Sequence, residues 1–129
     1  MSKVTIDTAK GQIVLEVYPD LMPVTVANFD KLVQSGFYDG LKFHRVEDWV
    51  IQGGDPIGNG TGGPGWKISL ETNPQLKNVR GAVAMARATD PNSAGSQFYI
   101  LKKDASWLDG QYAVFGKVVQ GLDVVDLIQ

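Results

Sequence analysis

The chain contains no cysteine, which excludes disulfides, thiolate catalysis and zinc–thiolate sites together. It contains one histidine, His44, so a multi-histidine metal site is excluded and any imidazole mechanism must use that residue. Charge of one sign is lacking too. Twelve basic and fourteen acidic residues give a net charge of −2, with no basic surplus to neutralise the phosphates of a nucleic acid. No apolar run approaches the roughly 20 residues that cross a bilayer, and residues 1–5 lead straight into alternating sequence without a signal-peptide core. These absences set the expectation of a cytoplasmic protein with no metal, cofactor, nucleic acid or membrane partner; a monomer is expected beside them.

What is present is ordinary globular material. The sequence has 129 residues, 43% hydrophobic and 20% charged, which is the size of one domain spanning 1–129. Residues 4–8 and 12–18 alternate apolar and polar around Ala9-Lys10-Gly11 and predict a β-hairpin. Residues 23–35 predict a helix: Pro23 suits its first turn, Val26, Phe29, Leu32 and Val33 form an apolar stripe, and Gly36 suits its end. Further strands are expected at 41–46, 49–52, 81–86, 97–101 and 112–119, with a short helix at 122–128. Many short strands with glycine-rich turns and few helices point to a closed barrel or a sandwich.

Several segments carry chemistry only in combination. The glycine-rich run 53–65 lacks the Gly-Lys-Ser/Thr ending of a phosphate loop, and no good helix follows it. It reads as a surface loop, or as a groove wall that a substrate backbone can approach closely. His44 has no serine motif beside it, and in a strand it and Arg45 point to opposite faces. Gln97 and Tyr99 share one strand face, Phe98 and Ile100 the other, so one face reads as core and its opposite as a lining with polar handles. On composition alone, Trp107 reads as a tryptophan capping the core.

Taken in order, Phe43-His44-Arg45-Val46, Gln52-Gly53-Gly54-Asp55, Asn59-Gly60-Thr61-Gly62-Gly63, Ser96-Gln97-Phe98-Tyr99-Ile100 and Trp107-Leu108-Asp109-Gly110 resemble the cyclophilins, the peptidyl-prolyl isomerases inhibited by cyclosporin. Val114-Phe115-Gly116-Lys117-Val118 follows in the family's order. The resemblance implies a mainly β fold, an eight-stranded antiparallel barrel closed by two helices, with the substrate groove outside it. It implies catalysis of rotation about Xaa-Pro bonds in peptides and unfolded client proteins, and binding of a cyclosporin-type inhibitor. Matched residue by residue, Arg45 is similar to the catalytic arginine, with His44 at the groove edge. Gln52 and Gln97 match two supporting glutamines. Trp49, Val50, Tyr99 and Leu108 match the proline pocket, and Trp107 the tryptophan associated with cyclosporin. Tyr112 stands where many relatives have histidine, and Ala86 and Arg87 match a wall whose backbone holds the peptide.

Three departures stand out. Between Arg45 and Gln52 the chain is one residue shorter than the common pattern, reading Val46-Glu47-Asp48-Trp49-Val50-Ile51. Tyr99 brings a hydroxyl expected at the pocket rim. Cyclophilins normally continue beyond the position of Gln129 with a further strand that helps close the barrel.

Rotation about Xaa-Pro breaks no covalent bond, although its barrier is about 18–20 kcal/mol, so the scarcity of nucleophiles and bases is consistent with it. A module that binds proline peptides without turnover, or a holdase chaperone, is the alternative. An isomerisation assay separates them.

Overall fold

The computed structural model describes residues 3–129. The period-two pattern at the start of the chain does what it demands. β1 (Lys3–Thr8) and β2 (Gly11–Val17) pair antiparallel from Lys3–Glu16 to Thr8–Gly11. Their alternate residues Val4, Ile13, Leu15 and Val17 are buried. Gly11 closes the turn at φ +135°, a conformation that a side chain would strain.

The helix α1 (Pro23–Gln34) starts on its proline and ends at Ser35, followed by Gly36 at φ +77°. Its first free N–H groups are met from outside: Val24 and Thr25 donate to the Glu71 carboxylate at 3.1 and 2.7 Å. That arrangement satisfies orphan donors and places negative charge at the positive end of the helix. Val26, Phe29 and Leu32 of the apolar stripe are buried, and Val33 packs against the same core.

The remaining strands are β3 (Phe43–Val46), β4 (Val50–Gly53), β5 (Ala82–Met85), β6 (Phe98–Leu101) and β7 (Val114–Gln120), followed by α2 (Leu122–Leu127). All pair antiparallel in one sheet of order β1-β2-β7-β5-β6-β4-β3. The sheet curls until its two edges face each other: Val4 and Ile6 of β1 line the same cavity of about 450 Å³ as Phe43 of β3 and Gly53 of β4. Among the described residues the architecture is therefore a seven-stranded half-barrel with two helices, and the expected eighth strand is not among its elements.

The two faces of the sheet bury different things. Inside, Phe29 of α1 packs its ring at 4.9 Å from Phe115, 5.6 Å from Phe98 and 5.3 Å from Tyr38. Each fully buried phenylalanine contributes about 1.5–3 kcal/mol, so this cluster fastens the helix across the open end of the curl. Outside, a smaller apolar layer of Val50, Ala82, Ala84, Ala86, Tyr99, Leu101 and Val114 forms a floor. As the alternation predicted, Phe98 and Ile100 join the inner core and Tyr99 the outer floor. That outer floor positions the site.

Candidate active site

The pairing of β3 with β4 and β4 with β6 sets Arg45 opposite Gln52, and Gln52 opposite Tyr99. Opposed residues of antiparallel strands share a face, so three residues from distant parts of the sequence converge above the outer floor. Arg45, Trp49, Val50, Gln52, Ala86, Arg87, Tyr99, Leu108 and Tyr112 line one slot of about 160 Å³. Its base is apolar, from Val50, Ala86 and the Tyr99 ring, and its rim carries Arg45 and Gln52.

A chain of amides fixes the rim. Gln97 Nε2 donates to the carbonyls of Gly60 and Gly62 at 3.0 and 2.9 Å. That leaves Gln97 Oε1 to accept from Gln52 Nε2 at 3.0 Å, and Gln52 Oε1 to accept from Arg45 Nη1 at 3.4 Å. Because carbonyls only accept and guanidinium only donates, the polarity of both amides is dictated from the two ends.

The loop that supplies those carbonyls is organised by Asp55. Its carboxylate is buried and accepts from the N–H groups of Ile57, Asn59 and Gly60 at 2.8, 3.0 and 2.5 Å. Burial pushes its pKa up, but the backbone donors of Ile57, Gly60, Gly62 and Asn59 outweigh it and hold the value at about 2. Gly54 enters the loop at φ +88°, where a Cβ would stand 2.5 Å from the Ser96 carbonyl oxygen. The glycine-rich run is thus a packed groove wall. With Gln52, Ala86 and Gln97 it borders a second, wider groove of about 820 Å³ beside the slot.

Three residues matched to the site lie outside the slot. His44 sits at a register shift in β3 and turns its ring toward Gly60. Gln97 acts from the neighbouring groove through the relay. Trp107, in a short 3₁₀ turn at Ser106–Leu108, is 64% exposed. Its ring packs tilted, at 5.6 Å, against Trp49 instead of capping the core, because the turn projects it past the floor.

Tyr99 corrects a further expectation. Its hydroxyl is not at the pocket rim but points beneath the floor, where it donates to Asn78 Oδ1 at 2.6 Å. Asn78 in turn donates to Asp109 Oδ1 from its backbone N–H at 2.7 Å and from Nδ2 at 3.1 Å. A buried hydroxyl needs a partner, and Asn78 supplies it where the slot does not. Burial raises the Tyr99 pKa, and the backbone N–H of Asn78 lowers that of Asp109.

Arg87 spends its guanidinium on the chain itself. Nε and Nη2 donate to the Gln111 carbonyl at 3.1 and 2.9 Å, and Nη1 donates to Ala88 at 2.9 Å, with the group 4.5 Å above the Tyr112 ring. This fits a role carried by its main chain. Asn78, Asp55 and Glu47, which binds Arg45, were not singled out from the sequence. Asp55 stood there only as part of the Gln52-Gly53-Gly54-Asp55 motif, and Glu47 only in the short segment between Arg45 and Gln52.

Comparison with known proteins gives the family. The profile of the family described as "Cyclophilin type peptidyl-prolyl cis-trans isomerase/CLD" matches residues 3–129. The chain belongs to the cyclophilin-type peptidyl-prolyl cis-trans isomerases. Peptidyl-prolyl cis-trans isomerase B of Bacillus subtilis is 50% identical over 116 residues, which cover 88% of this chain and 80% of that protein. The peptidyl-prolyl cis-trans isomerase of Helicobacter pylori is 47% identical over 130 residues, covering 97% and 78% respectively. Among solved structures, a Cryptosporidium parvum cyclophilin-type isomerase crystallised in the presence of the dipeptide Ala-Pro superposes with a TM-score of 0.92 at 36% identity. That match covers 98% of this chain and 84% of the other. The chain is accordingly an isomerase of Xaa-Pro bonds.

Proposed function

We propose that the slot above the outer floor receives the proline ring of the substrate and that Arg45 stabilises the twisted peptide bond. The observation that carries this is the convergence of one guanidinium, one amide relay and an apolar base on a cavity of about 160 Å³. A planar amide nitrogen shares its lone pair with the carbonyl and accepts hydrogen bonds poorly. When the bond twists, resonance is lost and the nitrogen becomes an acceptor. A guanidinium donor aimed there is worth more in the transition state than in the ground state, which is the condition for catalysis. A single preorganised donor of this kind contributes about 3–4 kcal/mol.

Two finer readings go with this one. The exposed Trp107, packed against Trp49 beside the slot mouth, would meet a cyclosporin-type cyclic peptide. The family's closed eight-stranded barrel would be completed by an extended strand in the seam between β1 and β3, a reading supported by two free edges over a cavity floored by Phe29 and Phe98.

The test of the active-site reading is Arg45→Ala, assayed for isomerisation of an Xaa-Pro peptide and for peptide affinity. The expected result is a loss in kcat/KM of about a hundredfold to a thousandfold, with a much smaller loss of affinity and an unchanged circular dichroism spectrum. A variant that turns over like the wild type refutes the role of Arg45. Binding without turnover in the wild type would favour a proline-peptide binding module.

A further inference from the structure

The loop between β3 and β4 is short. Glu47 N–H donates to the Val50 carbonyl at 2.9 Å, which leaves only Asp48 and Trp49 at the tip. Pairing therefore extends past Val46, and the period of two puts the side chain of Glu47 on the same face as that of Arg45. The contact is direct. Glu47 Oε2 accepts from Arg45 Nη2 at 2.5 Å and from Nε at 3.0 Å. Yet Glu47 is absent from the slot lining and belongs to the adjoining surface with Arg80, Lys102 and Asp126. It grips the arginine from outside the slot.

Guanidinium has five N–H donors. Glu47 takes Nε–H and one on Nη2, and Gln52 takes one on Nη1. What remains, among the described residues, is one donor on Nη1 and one on Nη2. We propose that Glu47 is a positioning residue for the isomerase reaction: its carboxylate closes the Nε/Nη2 edge of Arg45 so that the opposite end faces the twisted bond. A carboxylate this close also preserves the planar orientation that a long, flexible side chain would otherwise lose. The inference rests on the catalytic reading of Arg45.

The pair is about half exposed on both sides, 47% and 45%, so salt weakens it. The experiment uses the full chain, a neutral Xaa-Pro peptide, and the variants Glu47→Ala, Glu47→Gln and Arg45→Ala with the double variant. Glu47→Ala is expected to lower kcat about fivefold with KM changed less than about twofold. Raising sodium chloride from about 0.1 to about 1 M should lower wild-type kcat about threefold and leave Glu47→Ala flat. Glu47→Gln retains an acceptor and should recover to within about twofold of the wild type at low salt. In the Arg45→Ala background, Glu47→Ala should have no further effect. Equal or faster turnover of Glu47→Ala while Arg45→Ala is inactive overturns the inference and leaves the active-site reading intact. An equal loss in both backgrounds would assign Glu47 to the hairpin alone, and also overturns it. Arg45→Ala at wild-type rate sinks the active-site reading, and the inference falls with it.

Discussion

Arg45 is held on two sides by opposite means. Toward the glycine-rich loop it meets neutral, half-buried amides whose orientation is anchored in the backbone carbonyls of Gly60 and Gly62. Toward the hairpin tip it meets one exposed carboxylate, Glu47. The first support is built from groups with few alternatives: removing a member leaves others unpaired, and its amides carry no charge for salt to screen. The second is a surface ion pair, adjustable and weak by itself. One guanidinium thus has a fixed bearing and a tunable one, and the difference tells which substitutions should be severe.

The severest change to either bearing should be Gln97→Ala. It frees two loop carbonyls and the Nε2 of Gln52 at once, so kcat/KM should drop about tenfold. Unlike the loss at Glu47, this one should be independent of ionic strength. A salt-dependent loss at Gln97, read from steady-state rates at two salt concentrations, would erase the distinction.

Next comes Asp55, which holds the loop behind the fixed bearing. Its pKa of about 2 lies below its ordinary value of 3.8. A depressed carboxylate contributes stability that is fully present above the ordinary value and is lost as pH falls through the folded one. Asp55→Asn should therefore cost about 2 kcal/mol at neutral pH. The gap to the wild type should narrow between about pH 4 and pH 2. Urea unfolding at pH 7, 4 and 2.5 gives the curve, and a gap that does not change with pH would remove Asp55 from this role.

The smallest effect on turnover is expected at Trp107. It touches neither bearing, so Trp107→Ala should change kcat/KM less than about twofold; on the proposed reading that Trp107 meets a cyclosporin-type inhibitor, it should weaken that inhibitor by more, since an exposed indole is a large contact surface. Parallel inhibition and rate measurements decide it. Equal losses of turnover and inhibition would bring Trp107 into the slot itself.

Much of this is legible in the sequence. The hairpin, α1 and the strand positions followed from periodicity and from Pro23 and Gly36. Arg45, Gln52, Tyr99 and Leu108 of the slot fall within the ordered motifs, and Trp49, Val50, Ala86, Arg87 and Tyr112 were named from the resemblance position by position. What was not legible depended on contacts across the sheet. The hydroxyl of Tyr99 was expected at the rim because a strand pattern gives the face a residue occupies but not where its far end reaches, and Asn78 lies 21 residues away. Trp107 was read as a core cap because composition says that tryptophan buries area, whereas a 3₁₀ turn decides which way it projects. Asp55 was seen only as part of a motif, since four backbone donors gathering on one carboxylate leave no trace in spacing. The final strand of the family's barrel already stood out as a departure in the sequence, and the described strands form a seven-stranded half-barrel.

The central claim is that Arg45 acts on the bond while it is twisted. It is tested most directly by exchange NMR on a saturating Xaa-Pro peptide, which reads cis/trans interconversion on the enzyme separately from binding. The account predicts that Arg45→Ala slows on-enzyme interconversion by about a hundredfold or more, while the dissociation constant changes less than about threefold. Interconversion on the enzyme that stays at the wild-type rate while affinity falls would contradict it and make Arg45 a substrate-binding residue only.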